Sequence, residues 1–475
     1  MAKNLSSKPS RARAALLLAA LCTLGCVGLV GGASPATDAG GAGTDSGVVE
    51  VDDGGTANGI DAAVADAGSA RVDAGRLPTR DAGPRPTYDA GPSVIVAFLA
   101  DMPPNSWREV PSSFMSTVCP NVNHYPCESV VTAWGGGAYD TVRDRLVIYG
   151  GGHADSFVNT VFTFDVGALK WSRQSELPPA LETGPNGDVP PIYYDKRVET
   201  CGLYPSVTAL DIPAGWLTPS GYVMKEKCDD PSIVAQLDSQ QPRSTHTYGN
   251  LAFSHASNRF YTLGACAMYQ SGQATSNRND AFDFDTGQWS RKADNTHITI
   301  GAASATDARG HIYYFAPYGA YEYDPIADVW STVRGSADTD SYYGGAAVDT
   351  LRNRAILTRD ALHLQTFKLG EPDAGRIATV ATGLPAALPS QLAFEYDAKL
   401  DRYFAWVGDK TTYWLNPATE KWAALEADPN EDDPGGMPVN GCFGKLRYSA
   451  KYDVFVMVSA ANKNVMLYKP PATAP

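Results

Sequence analysis

Six copies of one pattern run down the last three quarters of this chain. The copies start at Ala138-Tyr-Asp-Thr-Val-Arg-Asp-Arg-Leu-Val-Ile-Tyr-Gly, Phe253-Ser-His-Ala-Ser-Asn-Arg-Phe-Tyr-Thr-Leu-Gly, Ala305-Thr-Asp-Ala-Arg-Gly-His-Ile-Tyr-Tyr-Phe, Ala347-Val-Asp-Thr-Leu-Arg-Asn-Arg-Ala-Ile-Leu, Glu395-Tyr-Asp-Ala-Lys-Leu-Asp-Arg-Tyr-Phe-Ala-Trp and Tyr448-Ser-Ala-Lys-Tyr-Asp-Val-Phe-Val-Met-Val. Each reads as a short strand, a polar turn and an apolar strand; a third strand follows, ending in an aromatic and an Asp in three copies and often with a Trp beyond it. Strands grouped by about four, in a repeat of roughly 35 to 50 residues, are the mark of a β-propeller. The predicted fold is therefore all-β, a single propeller of six four-stranded blades, with seven as the alternative if residues 190–240 hold a degenerate one.

Strand boundaries follow from aromatic and β-branched runs bounded by Gly, Asp, Asn or Pro. Blade one reads Val130–Asp140, Arg145–Gly150, Asn159–Val166 and Lys170–Gln174. Blade two, after a long insertion, reads His246–His255, Arg259–Ala265, Asp280–Thr286 and Gln288–Ala293, and the next three begin near Ile300, Gly344 and Gln391. Blade six offers only Lys445–Lys451, Asp453–Ala460 and Asn464–Pro470 before the chain ends. Its outer strand is expected upstream at Asn105-Ser-Trp-Arg-Glu-Val-Pro, because Trp107 matches the outer-strand Trp171, Trp289, Trp330 and Trp422. Such a strand leaves no open sheet edge.

Residues 93–475 make up this body, and two segments precede it. In residues 1–26, Lys3, Lys8, Arg11 and Arg13 lead into the apolar run 14–21, which is sized for a secretory signal and too short to span a bilayer. The signal ends Thr23-Leu-Gly-Cys26, which resembles a bacterial lipoprotein processing site and implies a lipid on Cys26; plain secretion is the alternative. Residues 27–92 are Ala, Gly and Asp with little else, Asp-Ala-Gly recurring at Asp38, Asp66, Asp73, Asp81 and Asp89. A segment so poor in large apolar side chains cannot offset its ordering entropy, so it reads as a disordered tether. The expected location is the bacterial envelope, lipid-anchored, or the exterior.

Setting signal and tether aside leaves 30 basic against 42 acidic residues in the body. That balance argues against a nucleic-acid partner, and contact with a membrane is expected only through the lipid. The body is expected to be a monomer. Its cysteines are Cys119, Cys127, Cys201, Cys228, Cys266 and Cys442, an even number that in an exported chain predicts disulfides. Nearest-neighbour pairing gives Cys119–Cys127 and Cys201–Cys228, leaving Cys266–Cys442.

In a four-stranded blade, the links between blades and the loops joining second to third strands emerge on one face. His124, His153, Arg243, His246 and His297 map there, as do all six cysteines, whereas His255 and His311 fall on the opposite side and His363 within a strand. The sharpest local motifs are Gly150-Gly-Gly-His153 and Arg243-Ser-Thr-His246-Thr-Tyr248. An Arg, a His and a Tyr at alternate-strand spacing supply a carboxylate clamp, a proton shuttle and a phenolic base. The alternative is that these glycines only turn the chain and the polar groups only bond loop carbonyls.

The strand pattern, with Gly-Gly-Gly-His after a second strand and a Trp shortly past a turn, resembles the kelch and galactose-oxidase type of propeller over about residues 95–472. A weaker likeness, by residue type alone, is to propeller polysaccharide lyases of the ulvan-lyase type. It implies β-elimination on a uronate, with His153, His246 and Tyr248 moving protons and Arg243 neutralising the carboxylate; Tyr193, Tyr194 and Tyr269 are further phenols. His124, Tyr269 and His297 are candidate binding residues on the same face. A copper radical oxidase, the other enzyme the likeness suggests, needs a Tyr-His pair among its ligands, and no Tyr-His dipeptide occurs. Cys-x-x-Cys, His-Glu-x-x-His, phosphate-loop and nucleophile-elbow motifs are also lacking. No cofactor is expected; the acidic loop Asp428-Pro-Asn-Glu-Asp-Asp433 could take a structural metal ion, though a solvated turn explains it as well. The functional expectation is an exported carbohydrate-active propeller, a lyase on a uronate-containing polysaccharide, with a non-catalytic glycan- or protein-binding module as the alternative.

Overall fold

The computed structural model describes residues 94–120, 127–151, 160–175, 212–227, 230–232, 242, 244–268, 275–299, 301–317, 319–334, 344–370, 377–384 and 386–475, with backbone only at 265–268 and 275–276. Residues 1–93, which include the expected signal and tether, and most of residues 190–240 lie outside the described residues.

Six antiparallel sheets form a β-propeller. Their inner strands are Gly136–Asp140, Leu251–Ser254, Ala303–Thr306, Gly345–Asp349, Ala393–Asp397 and Leu446–Ser449, and each contacts the next, the sixth contacting the first. The last blade takes its outer strand from Ser106–Glu109, in register Ser106↔Lys469, Trp107↔Tyr468, Arg108↔Leu467 and Glu109↔Met466. The expected closure is thus observed.

The repeated pattern has a local cause. At the first turn of a blade, Asp140, Asp349 and Asp397 each accept two backbone N–H bonds through Oδ1, from Val142 and Arg143, Leu351 and Arg352, and Lys399 and Leu400. The residue four places on turns left-handed, at φ 53° for Asp144, 48° for Asn353 and 54° for Asp401. Asp and Asn bond their own backbone this way and tolerate that region. The same device follows the third strand, where Asp283 Oδ1 accepts from Asp285 and Thr286, and Asp324 Oδ1 from Ile326 and Ala327.

Packing lies between blades. Six apolar clusters fill the six interfaces; Trp107, Phe404, Trp406, Trp414 and Tyr468, for example, join blades five and six. Each outer-strand Trp reaches the preceding blade: Trp330 Nε1 donates to Ala293 O at 2.9 Å, Trp422 Nε1 to Ala361 O at 2.8 Å and Trp171 Nε1 to Ser113 O at 2.9 Å. Trp289 packs on Tyr149, and Trp107 on Trp406.

Four expectations are corrected. Residues Glu128–Thr132 are a helical turn, with Val130 and Val131 buried, so the first inner strand begins at Gly136. The run 246–255 splits into Thr245–His246 and Leu251–Ser254, because Tyr248 turns left-handed at φ 46°. Cys266 belongs to the strand Arg259–Met268 and not to a loop. The Cys266–Cys442 bridge does not form: Cys442 is a free thiol buried among Trp107, Ala393 and Phe404 between blades five and six, whereas Cys266 pairs with His246 in blade two. The expected Cys119–Cys127 disulfide is present, and Cys201 and Cys228 lie outside the described residues.

The acidic loop is occupied by protein. Asp432 Oδ2 accepts the Glu109 backbone N–H at 2.8 Å, and Glu431 takes the Arg108 guanidinium, so the loop clasps the closing strand.

Candidate functional site

The loop face is organised where blades six, one and two converge. Trp134, Tyr248 and Phe443 precede the three inner strands with φ of 51°, 46° and 40°. Bulky side chains seldom adopt this conformation, which costs roughly 1–2 kcal/mol per residue. Contacts between the three segments hold it: the Tyr248 N–H donates to Trp134 O at 2.9 Å, and Gly136 N–H donates to Thr247 Oγ1 at 2.7 Å. A side chain at Gly136 would place its Cβ 2.1 Å from Tyr248 O, so the close approach requires glycine there.

His246 and Tyr248 come together within this knot. Their rings are 6.1 Å apart and edge-on; His246 also lies 4.9 Å from Trp134, and Tyr248 5.4 Å from Phe443. They are only 1 % and 2 % exposed. The third described residue of the predicted set, His297, lies away from the knot, flat on Tyr321 with centroids 3.5 Å apart and planes at 8°. Burial lowers the His297 pKa, favouring the neutral ring. His124, His153, Arg243 and Tyr269, like Cys26, lie outside the described residues.

Beneath the knot, Lys445 is fully buried, and its Nζ donates to Gly135 O at 2.5 Å across the junction of blades six and one. Burial pulls the ammonium down to about 7. The neighbouring Cys442 thiol is pushed up by burial to about 12.

A second grouping on this face escaped the sequence reading. Arg359, Asp360, His363 and Ser390 line a shallow recess of about 510 Å³ beside blade four. The strand Arg354–Thr358 ends just before it, and His363 opens the next strand with its side chain 63 % exposed. Asp360 Oδ1 accepts the N–H groups of Leu362 and His363, and Oδ2 lies 2.7 Å from His363 Nδ1. Burial pushes the Asp360 carboxyl up, but the backbone N–H and ring of His363 outweigh it and hold it below its ordinary value. The carboxylate thus orients the ring and leaves Nε2 outward, an arrangement suited to proton transfer. The signal was present: Arg359-Asp-Ala-Leu-His363 follows a second strand as Gly150-Gly-Gly-His153 does in blade one.

Among the described residues, no group of three or more His, Cys, Asp or Glu side chains is placed to hold a metal ion. No protein family and no curated protein matches this chain. Among solved structures, a gluconolactonase from Xanthomonas campestris is similar to it with a TM-score of 0.39 and 9% identity, over 72% of this chain and 86% of that one.

Proposed function

We propose that this chain is an exported carbohydrate-active propeller that handles an acidic polysaccharide on its loop face, at the recess of Arg359, Asp360, His363 and Ser390. The observation that carries the reading is the Asp360–His363 pair, because it sets an accessible, oriented imidazole beside an exposed guanidinium. β-Elimination on a uronate needs a base at the proton α to the carboxylate and a positive group for the charge that develops; the double bond forms as the bond from the β carbon to the glycosidic oxygen breaks, and that oxygen leaves with the electron pair and takes a proton from water. His363 Nε2 is the base and Arg359 the carboxylate partner. His246 and Tyr248, closed into the aromatic knot, serve as support for the loops around them.

The burial of His246 and Tyr248 favours a second reading, in which the same face binds glycan without cleaving it. Uronate-containing polysaccharides, incubated with the protein and followed by the ultraviolet absorbance of an unsaturated product, separate the two. Elimination that falls at least a hundredfold in His363→Ala and Arg359→Ala, while His246→Gln retains it in folded protein, supports the recess. Activity that survives His363→Ala refutes the assignment, and binding without product that Arg359→Ala abolishes establishes the module. Export through residues 1–26 and a lipid on Cys26 complete the proposal; Cys26→Ser should abolish incorporation of a fatty-acid analogue and release the protein from membranes.

A further inference from the structure

The central channel also opens on the opposite face, among the first turns of the blades, into a cavity of about 360 Å³ to which all six blades contribute. Its mouth is formed by the exposed turn residues Thr141, His255, Ala308 and Thr350. Deeper in the wall, Arg447 of blade six is ion-paired through Nη1 with Glu395 of blade five. Arg447 Nε donates to Gly444 O at 3.2 Å and Nη2 to Gly137 O at 3.1 Å. Three of its five N–H groups are so engaged, and Glu395 keeps acceptor capacity beyond the one oxygen that Arg447 takes. Both side chains are mostly withdrawn from water, at 17% and 16% exposed, where an ion pair is costly unless its remaining valences are met.

The charge of the cavity is balanced. Asp307 in the lining is engaged by Arg309 at 2.7 Å and by the N–H groups of Arg309 and His311. Beyond the lining, at the blade turns of the same face, Arg143 is matched by Asp140 and Asp285, Arg352 by Asp349 and Asp401, and Lys451 by Asp144. A carboxylate ligand would therefore meet Glu395 with its attraction to Arg447 already spent, and an ammonium would meet Arg447 with no second unpaired carboxylate. A hydroxyl suits both, since it accepts from Arg447 and donates to Glu395. The lining adds the hydroxyl oxygens of Ser304 and Thr306, which donate to backbone carbonyls of blade two and keep acceptor capacity, and the apolar faces of Ala252 and Ala305. The volume lies at the small end of ligand sites, about 300–1,000 Å³.

We propose that this turn-face cavity is a binding site for a small neutral polyhydroxylated ligand of monosaccharide size, held by Arg447 and Glu395. The site is separate from the loop-face recess, so the failure of either proposal leaves the other standing. The test is titration calorimetry and saturation-transfer NMR on the full chain with methyl β-glucopyranoside and myo-inositol, against glucuronate and glucosamine as charged probes. The neutral probes should bind one to one, with Kd on the order of 1 mM, at least tenfold tighter than the charged ones. Thr350→Trp, an exposed substitution at the mouth, should abolish binding without changing thermal unfolding. Glu395→Gln should weaken binding about tenfold. Absence of saturation by either neutral probe, equal binding of charged probes, or unaltered binding in a folded Thr350→Trp protein would overturn the assignment.

Discussion

Arg352 Nη2 in blade four lies 2.6 Å from Asp401 Oδ2 in blade five, while Nη1 of the same guanidinium reaches back 2.8 Å to Asp349 Oδ2 in its own turn. The arrangement recurs around the turn face. Arg143 bridges Asp140 and Asp285 between blades one and two, Lys399 meets Asp453 between five and six, and Lys451 lies 3.2 Å from Asp144 between six and one. The left-handed turn residue that completes one blade's turn is thus, at Asp401, Asp453 and Asp144, the partner of the preceding blade's cation.

These clasps should differ in worth. Arg352→Met removes charge-assisted bonds to two carboxylates, one of them, Asp349, fully buried, and should cost about 1–2 kcal/mol. Lys399→Met, at a side chain 66% exposed, should cost less than about 1 kcal/mol. The hydrogen bond from Arg352 holds the Asp401 carboxyl down at about 2. That contribution is present above the ordinary Asp value near 3.8 and is lost as pH falls toward 2. Urea unfolding of both variants at pH 7, and of wild type and Arg352→Met between pH 5 and 2.5, checks the order and the slope; equal costs would deny the clasp its role.

Lys445 should make stability climb with alkalinity. Its ammonium titrates at about 7 in the folded chain against 10.5 when unfolded, so between these values the unfolded chain binds more protons and stability rises with pH. Below pH 7 the buried charge penalty is fully felt. Cys442, pushed up to about 12 by burial, stays a thiol in the folded chain but ionises near 9 when unfolded, so it opposes this rise only as the pH passes about 9. Urea midpoints from pH 6 to 8.5 should rise for wild type and flatten for Lys445→Met; parallel slopes would show that Lys445 keeps an ordinary pKa.

Cys442 should resist thiol reagents in the native protein and react once unfolded. Burial both shields the sulfur and raises its pKa, and reactivity follows the exposed thiolate. Titration of unreduced protein in denaturant should find one thiol fewer in Cys442→Ser than in wild type. A count one higher in Cys442→Ser would mean that Cys442 is disulfide-bonded, since the substitution would free its partner.

Trp107 should be among the costliest residues to truncate. It is fully buried, with ring centroids 5.3 Å from Trp406 and 4.9 Å from Tyr468, in the strand that closes the ring. Trp107→Ala should cost about 3–5 kcal/mol, whereas Trp107→Phe should recover much of it. Thermal unfolding of the pair measures this, and a loss below 1 kcal/mol in Trp107→Ala would show that closure does not depend on the indole.

The residues that made the fold legible act over short distances. Asp349 and Asp397 bond N–H groups two and three residues on, and a left-handed residue follows, so each turn is written in a five-residue window that repeats. Trp107 could be assigned to the last blade because the outer strands of blades one, two, three and five carry a Trp, again a local pattern, and blade six lacked an outer strand. The same locality explains the correct Cys119–Cys127 pairing, eight residues apart.

What the tertiary structure alone decided depends on the ring being closed. Closure brings blades six, one and two against each other, and only then do Trp134, Tyr248 and Phe443 seal His246 from solvent and leave Cys442 far from Cys266. His363 reads as one strand residue among many until the fold places Asp360, Arg359 and Ser390 around one recess. The Arg447–Glu395 pair and its cavity draw on six segments spread over three hundred residues. Periodicity carries the shape of each blade, because a blade's hydrogen bonds are mostly its own; burial, pKa and access belong to the spaces between blades, and no window of sequence contains those.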